Sequence, residues 1–334
     1  MLCLPTETIL DIFKFLNYQQ LCSIKQTNFY LHDFVNYFEG ELAREELCEI
    51  SIEDFDQYKQ HPLTEAENLD FSLNDEQREE MWKNGIENPI ALYLPNKDSN
   101  KNLVICLTKV FDSQTVLLLQ LPSIIKNKED IKIVYYYLNK LFNCSFKRGN
   151  FNKFIFNPEL IKLLFGNAKN VYSQYYSLSF TDHNLENIFK FALNNLVGGT
   201  LTTYFRLSKD MKKSKDISFK ILTNGGDNFK EVYLWFDNSP EGLEQYINAQ
   251  MIYDYIVEYI ATSRDCSKMV SVIALHYNLS FPSPKISGRA TKIEIKQYEN
   301  STKTTYEIAN IHIPKVRFLF CHGFFYVDIR RMKE

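Results

Sequence analysis

Histidines, cysteines and paired glycines supply most enzymatic sites, and their spacing in these 334 residues builds none of the familiar ones. The six histidines, His32, His61, His183, His276, His312 and His322, are scattered along the chain. Cys321 and His322 are adjacent, but adjacent residues on a strand point to opposite faces and do not share a metal. The seven cysteines, Cys3, Cys22, Cys48, Cys106, Cys144, Cys266 and Cys321, are odd in number and about twenty residues or more apart. Without a Cys-x-x-Cys pair, a reducing compartment is the simpler expectation. Gly198-Gly199 and Gly225-Gly226 fit neither the dinucleotide fingerprint nor the phosphate loop, and read as a helix C-cap and a turn. His-Glu-x-x-His and Gly-x-Ser-x-Gly are missing. Asp182-His183 could supply half of a catalytic triad, yet a place at a strand-to-helix junction favours Asp182 as an N-cap. Lys209, Lys212, Lys213 and Lys215, mixed with Asp210 and Asp216, read as a solvated loop. No catalytic residue, cofactor or metal is therefore expected, and a binding protein is favoured over an enzyme.

The elements that would position a binding surface follow from composition and periodicity. Hydrophobic residues at 45% and charged residues at 24% fit a globular chain of about two domains. A net charge of -3 gives no general attraction to nucleic acid, and the longest apolar runs, such as Val116 to Leu121, are strand-sized, so no membrane span is expected. The N-terminus lacks the basic and apolar regions of a signal peptide, which points to the cytoplasm or nucleus. Aromatic residues reach 15%, which suits broad packed surfaces.

Residues 41 to 80 hold fourteen acids against Arg44, Lys59 and Arg78, a local charge of -11. They read as a helix to about Glu49, a linker containing Pro62 and a short helix near Trp82, so a solvated hinge separates two bodies. From residue 88 strands and helices alternate. Strands are expected at 90–94, 103–107, 116–121, 153–156, 175–180, 203–207, 231–236 and 270–276, with helices at 131–142, 158–165, 185–196 and 240–262. Their ragged spacing lies in the range of degenerate leucine-rich-type α/β repeats with parallel pairing. Consecutive strands at 291–298, 304–313, 316–321 and 324–329 suggest a terminal antiparallel sheet.

The N-terminal forty residues read as three helices. Leu4-Pro5 leads into Ile9, Ile12, Phe13 and Leu16 on one helical stripe, with Leu10 and Phe15 also apolar off it. Leu21 and Ile24 mark a second helix, and Tyr30, Leu31, Phe34, Val35 and Phe38 a third. So small a unit cannot bury all this apolar area by itself.

This order of residues, Leu-Pro-x-Glu, then Ile-Phe-x-Phe-Leu, then an aromatic about fourteen positions on, resembles the F-box over about residues 3 to 40. Tyr30 stands where many F-boxes have Trp, and Gln26-Thr27-Asn28 departs from the usual small and basic residues. Further wording, including Arg264 to Val270 and Ile308 to Phe318, is similar to an expanded family of nematode F-box proteins. The resemblance implies docking on the Skp-family adaptor of a cullin-RING ubiquitin ligase, with a cullin scaffold beyond it, through Leu4, Pro5, Ile9, Ile12, Phe13, Leu16, Leu21, Ile24 and Tyr30.

The expected architecture is thus mixed α/β: a three-helix F-box over 1–45, an acidic linker with short helices over 46–87, and a target-recognition domain over 88–334 that ends in an antiparallel sheet. Tyr175, Tyr204, Arg206, Tyr233 and Trp235, on alternate strand positions, are the candidate contacts for an unknown protein target. The alternative from another class is a soluble α/β enzyme whose N-terminal helices merely cap a catalytic domain, burying the stripe that an adaptor-docking unit would leave exposed.

Overall fold

A computed structural model describes residues 4–58, 63–65, 89–95, 102–109, 116–166, 169–180, 184–205, 211–236, 242–277, 285–298, 301–323 and 325–332. Three short helices open the chain, α1 (Thr6–Phe13), α2 (Tyr18–Lys25) and α3 (Phe29–Tyr37). Then come β1 (Glu45–Asp54), β2 (Leu63–Glu65), β3 (Ile90–Ala91), β4 (Tyr93–Pro95), β5 (Leu103–Thr108), β6 (Val116–Gln120) and β7 (Ile124–Ile125). Helices and strands next alternate: α4 (Lys128–Phe142), β8 (Cys144–Phe151), β9 (Phe154–Phe156), α5 (Pro158–Phe165), β10 (Val171–Phe180), α6 (Leu185–Asn195), β11 (Leu196–Phe205), α7 (Met211–Asn224), β12 (Phe229–Phe236), α8 (Gly242–Thr262) and β13 (Val272–His276). Four strands close the chain, β14 (Thr291–Tyr298), β15 (Ser301–Ala309), β16 (Arg317–His322) and β17 (Tyr326–Arg331).

Thirteen of these strands form one mixed sheet in the order β14-β15-β16-β17-β13-β12-β11-β10-β8-β1-β5-β6-β2. Its centre, β1-β8-β10-β11-β12-β13, is parallel and advances in chain order without reversal. Right-handed crossovers that always step the same way put every connecting helix on one face. Side chains of α4 to α8, among them Val134, Leu160, Ile188, Leu222 and Ile256, bury against that face in one continuous core. Antiparallel strands finish the sheet at both ends, β5 and β6 beside β1, and β17 to β14 beside β13.

The parallel strands share one inward pattern. In β1 the core-facing residues are Leu47, Ile50 and Ile52, and in β8 Phe146, Gly149 and Phe151. The pattern continues as Ser173, Tyr176, Leu178 in β10, Gly198, Leu201, Thr203 in β11, and Phe229, Val232, Leu234 in β12. It ends with Val270 before β13 and Ile273 and Leu275 in it. First, fourth and sixth positions face in, so each strand turns two successive side chains outward at one level. The strands stay in register because all of them do this together.

The kink fixes a buried tyrosine. A Cβ on Gly149 would stand 2.7 Å from the Tyr176 ring, and one on Gly198 2.8 Å from it and 1.9 Å from the Ser173 carbonyl oxygen. The Tyr176 hydroxyl donates to the carbonyls of Val171 and Val197. At the far end a second buried chain links the hydroxyls of Tyr253 and Tyr306, and the latter is hydrogen-bonded to His322 Nε2 at 2.7 Å. Burial holds the His322 imidazole down at about 4, well below an ordinary histidine.

Several readings from sequence need correction. Residues 45–54 are a central strand and not the end of a helix leading into a hinge, so the sheet begins at Glu45 rather than at 88. The cause is the kink: Leu47 and Ile50 are three apart, a spacing shared with a helix, and Glu45, Glu46 and Glu49 suggested a solvated face. Gly198-Gly199 lies within β11 rather than at a helix end, where strands approach too closely for a side chain at 198. Lys212, Lys213 and Lys215 lie on α7 and not in a loop. β8 had no expected counterpart because Lys147-Arg148-Gly149-Asn150 hides its apolar residues. The expected helix near Trp82, Asp182-His183 and Lys209 lie outside the described residues, while α6 begins after Asn184, whose amide donates to the Pro95 carbonyl at 2.7 Å.

Because β1 sits between β8 and β5, a fragment of residues 80–334 loses a central strand and exposes two strand edges. Residues 43–334 are expected to unfold cooperatively on heating, whereas 80–334 aggregates or lacks a cooperative transition in calorimetry. Equal behaviour of the two fragments would remove β1 from the sheet.

Candidate functional site

The first surface is N-terminal. Ile9, Phe13, Leu21, Phe34, Val35 and Leu42 form a core separate from that of the sheet. The Phe13 and Phe34 rings meet edge to face at 5.4 Å. Asn17 starts α2 with a capping box, its side chain accepting from the Gln20 amide at 2.9 Å while Gln20 returns the bond, and Asn28 caps α3 through the Leu31 amide.

These contacts divide the nine expected adaptor-binding residues. Ile9, Phe13 and Leu21 are buried in the unit itself, so they hold the three helices together and are not presented to a partner. Leu16 and Ile24 are half-buried against that core. Leu4, Pro5, Ile12 and Tyr30 are exposed. Phe15 and Phe29 are 90% exposed, and Tyr37 is exposed as well. Phe15 had a signal in sequence, an apolar residue off the stripe; Phe29 and Tyr37 had none.

Polar contacts tie this unit to the sheet body. Arg44 donates to the Phe142 carbonyl at 2.6 Å, and its guanidinium lies 3.8 Å from the Tyr172 ring centre. Asn143 donates to Glu39 at 2.7 Å and accepts from Lys169 at 2.9 Å.

The second surface is the sheet face opposite the helices. Register places its outward side chains in rows that cross the strands. One row runs Glu49, Arg148, Tyr175, Thr200, Glu231, Val272 and Arg330. The next runs Ser51, Asn150, Ser177, Thr202, Tyr233, Ala274 and Asp328. A third carries Ser179, Tyr204, Trp235, His276 and Tyr326. Four of the five expected target contacts, Tyr175, Tyr204, Tyr233 and Trp235, thus share this face, and Arg206 lies outside the described residues.

The third row is a ladder of rings. Trp235 and His276 stack at 4.3 Å with planes 7° apart, while Tyr204 lies 6.4 Å from Trp235 and Tyr326 6.4 Å from His276. Tyr204 and Trp235 are exposed, so part of this aromatic surface is open to solvent. Tyr233 donates to Glu231 at 2.7 Å, which with burial pushes its phenol up to about 12. His276 is held below the ordinary histidine range by burial, opposed by the Asp328 carboxylate. In the sequence His276 is one of six scattered histidines and carries no spacing signal that would place it in a site.

Lower on the face, the two outward positions of each kink open a shallow depression of about 540 Å³. Lys147 and Lys230 stand toward its ends, Gly198 and Gly199 form its floor, and Tyr172, Gln174 and Tyr175 line it. The thiols of buried Cys106 and half-buried Cys144 are pushed up to about 12, chiefly by desolvation, which makes them poor nucleophiles. Among the described residues no group of three or more His, Cys, Asp or Glu side chains is placed to hold a metal ion, and no helix is long and apolar enough to cross a membrane.

A family model described as a domain of unknown function (DUF8381) matches residues 63–206, which run from β2 into the residue after β11. No curated protein and no solved structure matches the chain.

The stacked pair gives a direct optical reading of the open face. An imidazolium stacked on an indole quenches its fluorescence, and Trp82 and Trp235 are the two tryptophans of the chain. In a Trp82→Phe background, emission is expected to fall with a midpoint below 6.5, the ordinary value for the imidazole, and His276→Gln should abolish the step. A step that persists in His276→Gln would contradict the stacked geometry.

Proposed function

We propose that this chain is a substrate-recruiting F-box subunit of a cullin-RING ubiquitin ligase, with α1 to α3 docking on the Skp-family adaptor and the open sheet face selecting a protein target. The observation that carries the reading is the distribution of exposed apolar side chains. Seven of the nineteen large ones among the described residues, Leu4, Ile12, Phe15, Tyr18, Phe29, Tyr30 and Tyr37, lie within the first 37 residues. A helical cap of a catalytic domain would bury such residues against its own chain; a unit awaiting a partner keeps them outside. The unit has its own core, so it can present this surface while attached to the sheet body by Arg44 and Asn143.

The sheet body supports the second half of the reading. Inward residues at first, fourth and sixth positions, parallel strands in chain order and helices on one face match the L-x-x-L-x-L spacing of leucine-rich repeats in degenerate form. The antiparallel strands at either end act as the caps that repeat arrays require. In such arrays the uncovered strand face is the binding surface, and here it carries the ring ladder, with aromatic anchors of the kind that dominate protein interfaces. The compartment that goes with this activity is the cytoplasm or the nucleus.

The test is co-purification with a Skp-family adaptor. Leu4→Ala with Pro5→Ala, and separately Ile12→Ala with Tyr30→Ala, should each weaken the complex by about 1 to 4 kcal/mol with the unfolding midpoint unchanged. Phe13→Ala should instead lower the stability of the helical unit by about 3 kcal/mol. A wild-type chain that forms no complex with any such adaptor would refute the reading.

A further inference from the structure

We infer that this chain pairs with a second copy of itself along the outer edge of β14, antiparallel and centred on Ile295. The inference goes beyond the F-box reading and does not depend on it. β14 ends the thirteen-stranded sheet, and among the described residues no strand pairs with its outer edge. All eight of its residues are exposed, including Ile293 at 52% and Ile295 at 64%. A bare edge presents a row of backbone N–H and C=O groups ready to pair with another strand.

Register with β15 assigns the two faces of this edge. Ile295 stands opposite Thr304, on the side where Tyr306 and Ile308 enter the core. Glu294 and Lys296 stand opposite Thr305 and Lys303 on the other side. Lys296 therefore has a cation for its cross-strand neighbour, an arrangement that costs stability. Glu307 of β15 does not relieve it, being engaged by Lys292 and Arg317.

A two-fold axis through Ile295 pairs residue 293 with 297, 294 with 296, and 295 with itself. Glu294 of each copy then meets Lys296 of the other, and a carboxylate flanks Lys296 on the side away from Lys303. On the opposite face the two exposed Ile295 side chains meet, with Ile293 and Gln297 beside them. Neighbouring registers lack this fit. An axis at 294 sets Glu294 against itself and Lys292 against Lys296, while an axis at 296 sets Lys296 against itself. The bulge between Thr291 and Glu294, with Lys292 at a φ of 53°, stops regular pairing from running past Ile293. Because Ile295 faces itself, the helix sides of the two copies adjoin and both open faces look the same way.

Sedimentation velocity of the full chain over a concentration series reads the association. The wild type is expected to move from one chain to two as concentration rises. Glu294→Lys and Lys296→Glu, each alone, set like charges face to face and should weaken association about tenfold or more. An equal mixture of these two variants should recover the two-chain species, because each carries the charges that the other lacks. Unfolding midpoints verify that the variants fold. A wild type that stays a single chain throughout the series would overturn the inference, as would single variants that associate like the wild type. Loss in both single variants without recovery in the mixture would also overturn it, since the pairing of 294 with 296 would then be wrong.

Discussion

A strand that turns two successive side chains outward can pair only with neighbours that do the same at the same level. This constraint runs through β1, β8, β10, β11, β12 and β13, and the rest of the molecule depends on it. Where a large side chain occupies the inward position, adjacent strands make room: Tyr176 fills the space that Gly149 and Gly198 leave empty. Its hydroxyl satisfies the Val171 and Val197 carbonyls, so a buried polar atom closes the level instead of straining it. The same two outward positions on the other side of the sheet create the depression between Lys147 and Lys230.

One shared register therefore has two products. Inward, it aligns apolar residues for a single row of helices; outward, it aligns Tyr204, Trp235, His276 and Tyr326 into a ladder of rings on the opposite face. The N-terminal helices attach at the strand beginnings, where Arg44 reaches the Tyr172 ring and the Phe142 carbonyl just before β1 starts. The helical unit is thus connected to the sheet through its first strand and not through a loose hinge.

Helices with a clean 3.6-residue stripe were legible in the sequence. The expected 158–165 helix is α5, and 185–196 differs from α6 by one residue. Strands framed by turn residues, such as β5, β6 and β14, were equally plain, because alternation or a short apolar run has no helical rival there. Kinked strands were not. Their inward residues follow a mixed spacing, which made β1 resemble a helix and left β8 and the first half of β11 unread. At the candidate sites the strands that carry Tyr175, Tyr204, Tyr233 and Trp235 were legible but their outward parity was not, because kinked strands break simple alternation, and the partition of Ile9, Phe13 and Leu21 into a private core depends on contacts with Phe34, Val35 and Leu42 that no local spacing reveals.

The central claim is that β1 belongs to the body of the sheet and joins the N-terminal helices to the strands of the open face. Hydrogen exchange of the intact chain, followed by mass spectrometry, tests it most directly. Amides of residues 47–52 should exchange only through the same global opening as those of 146–151 and 173–178, with shared sensitivity to denaturant. Rapid exchange at 47–52 while 146–178 stays protected would make this segment a linker and contradict the account.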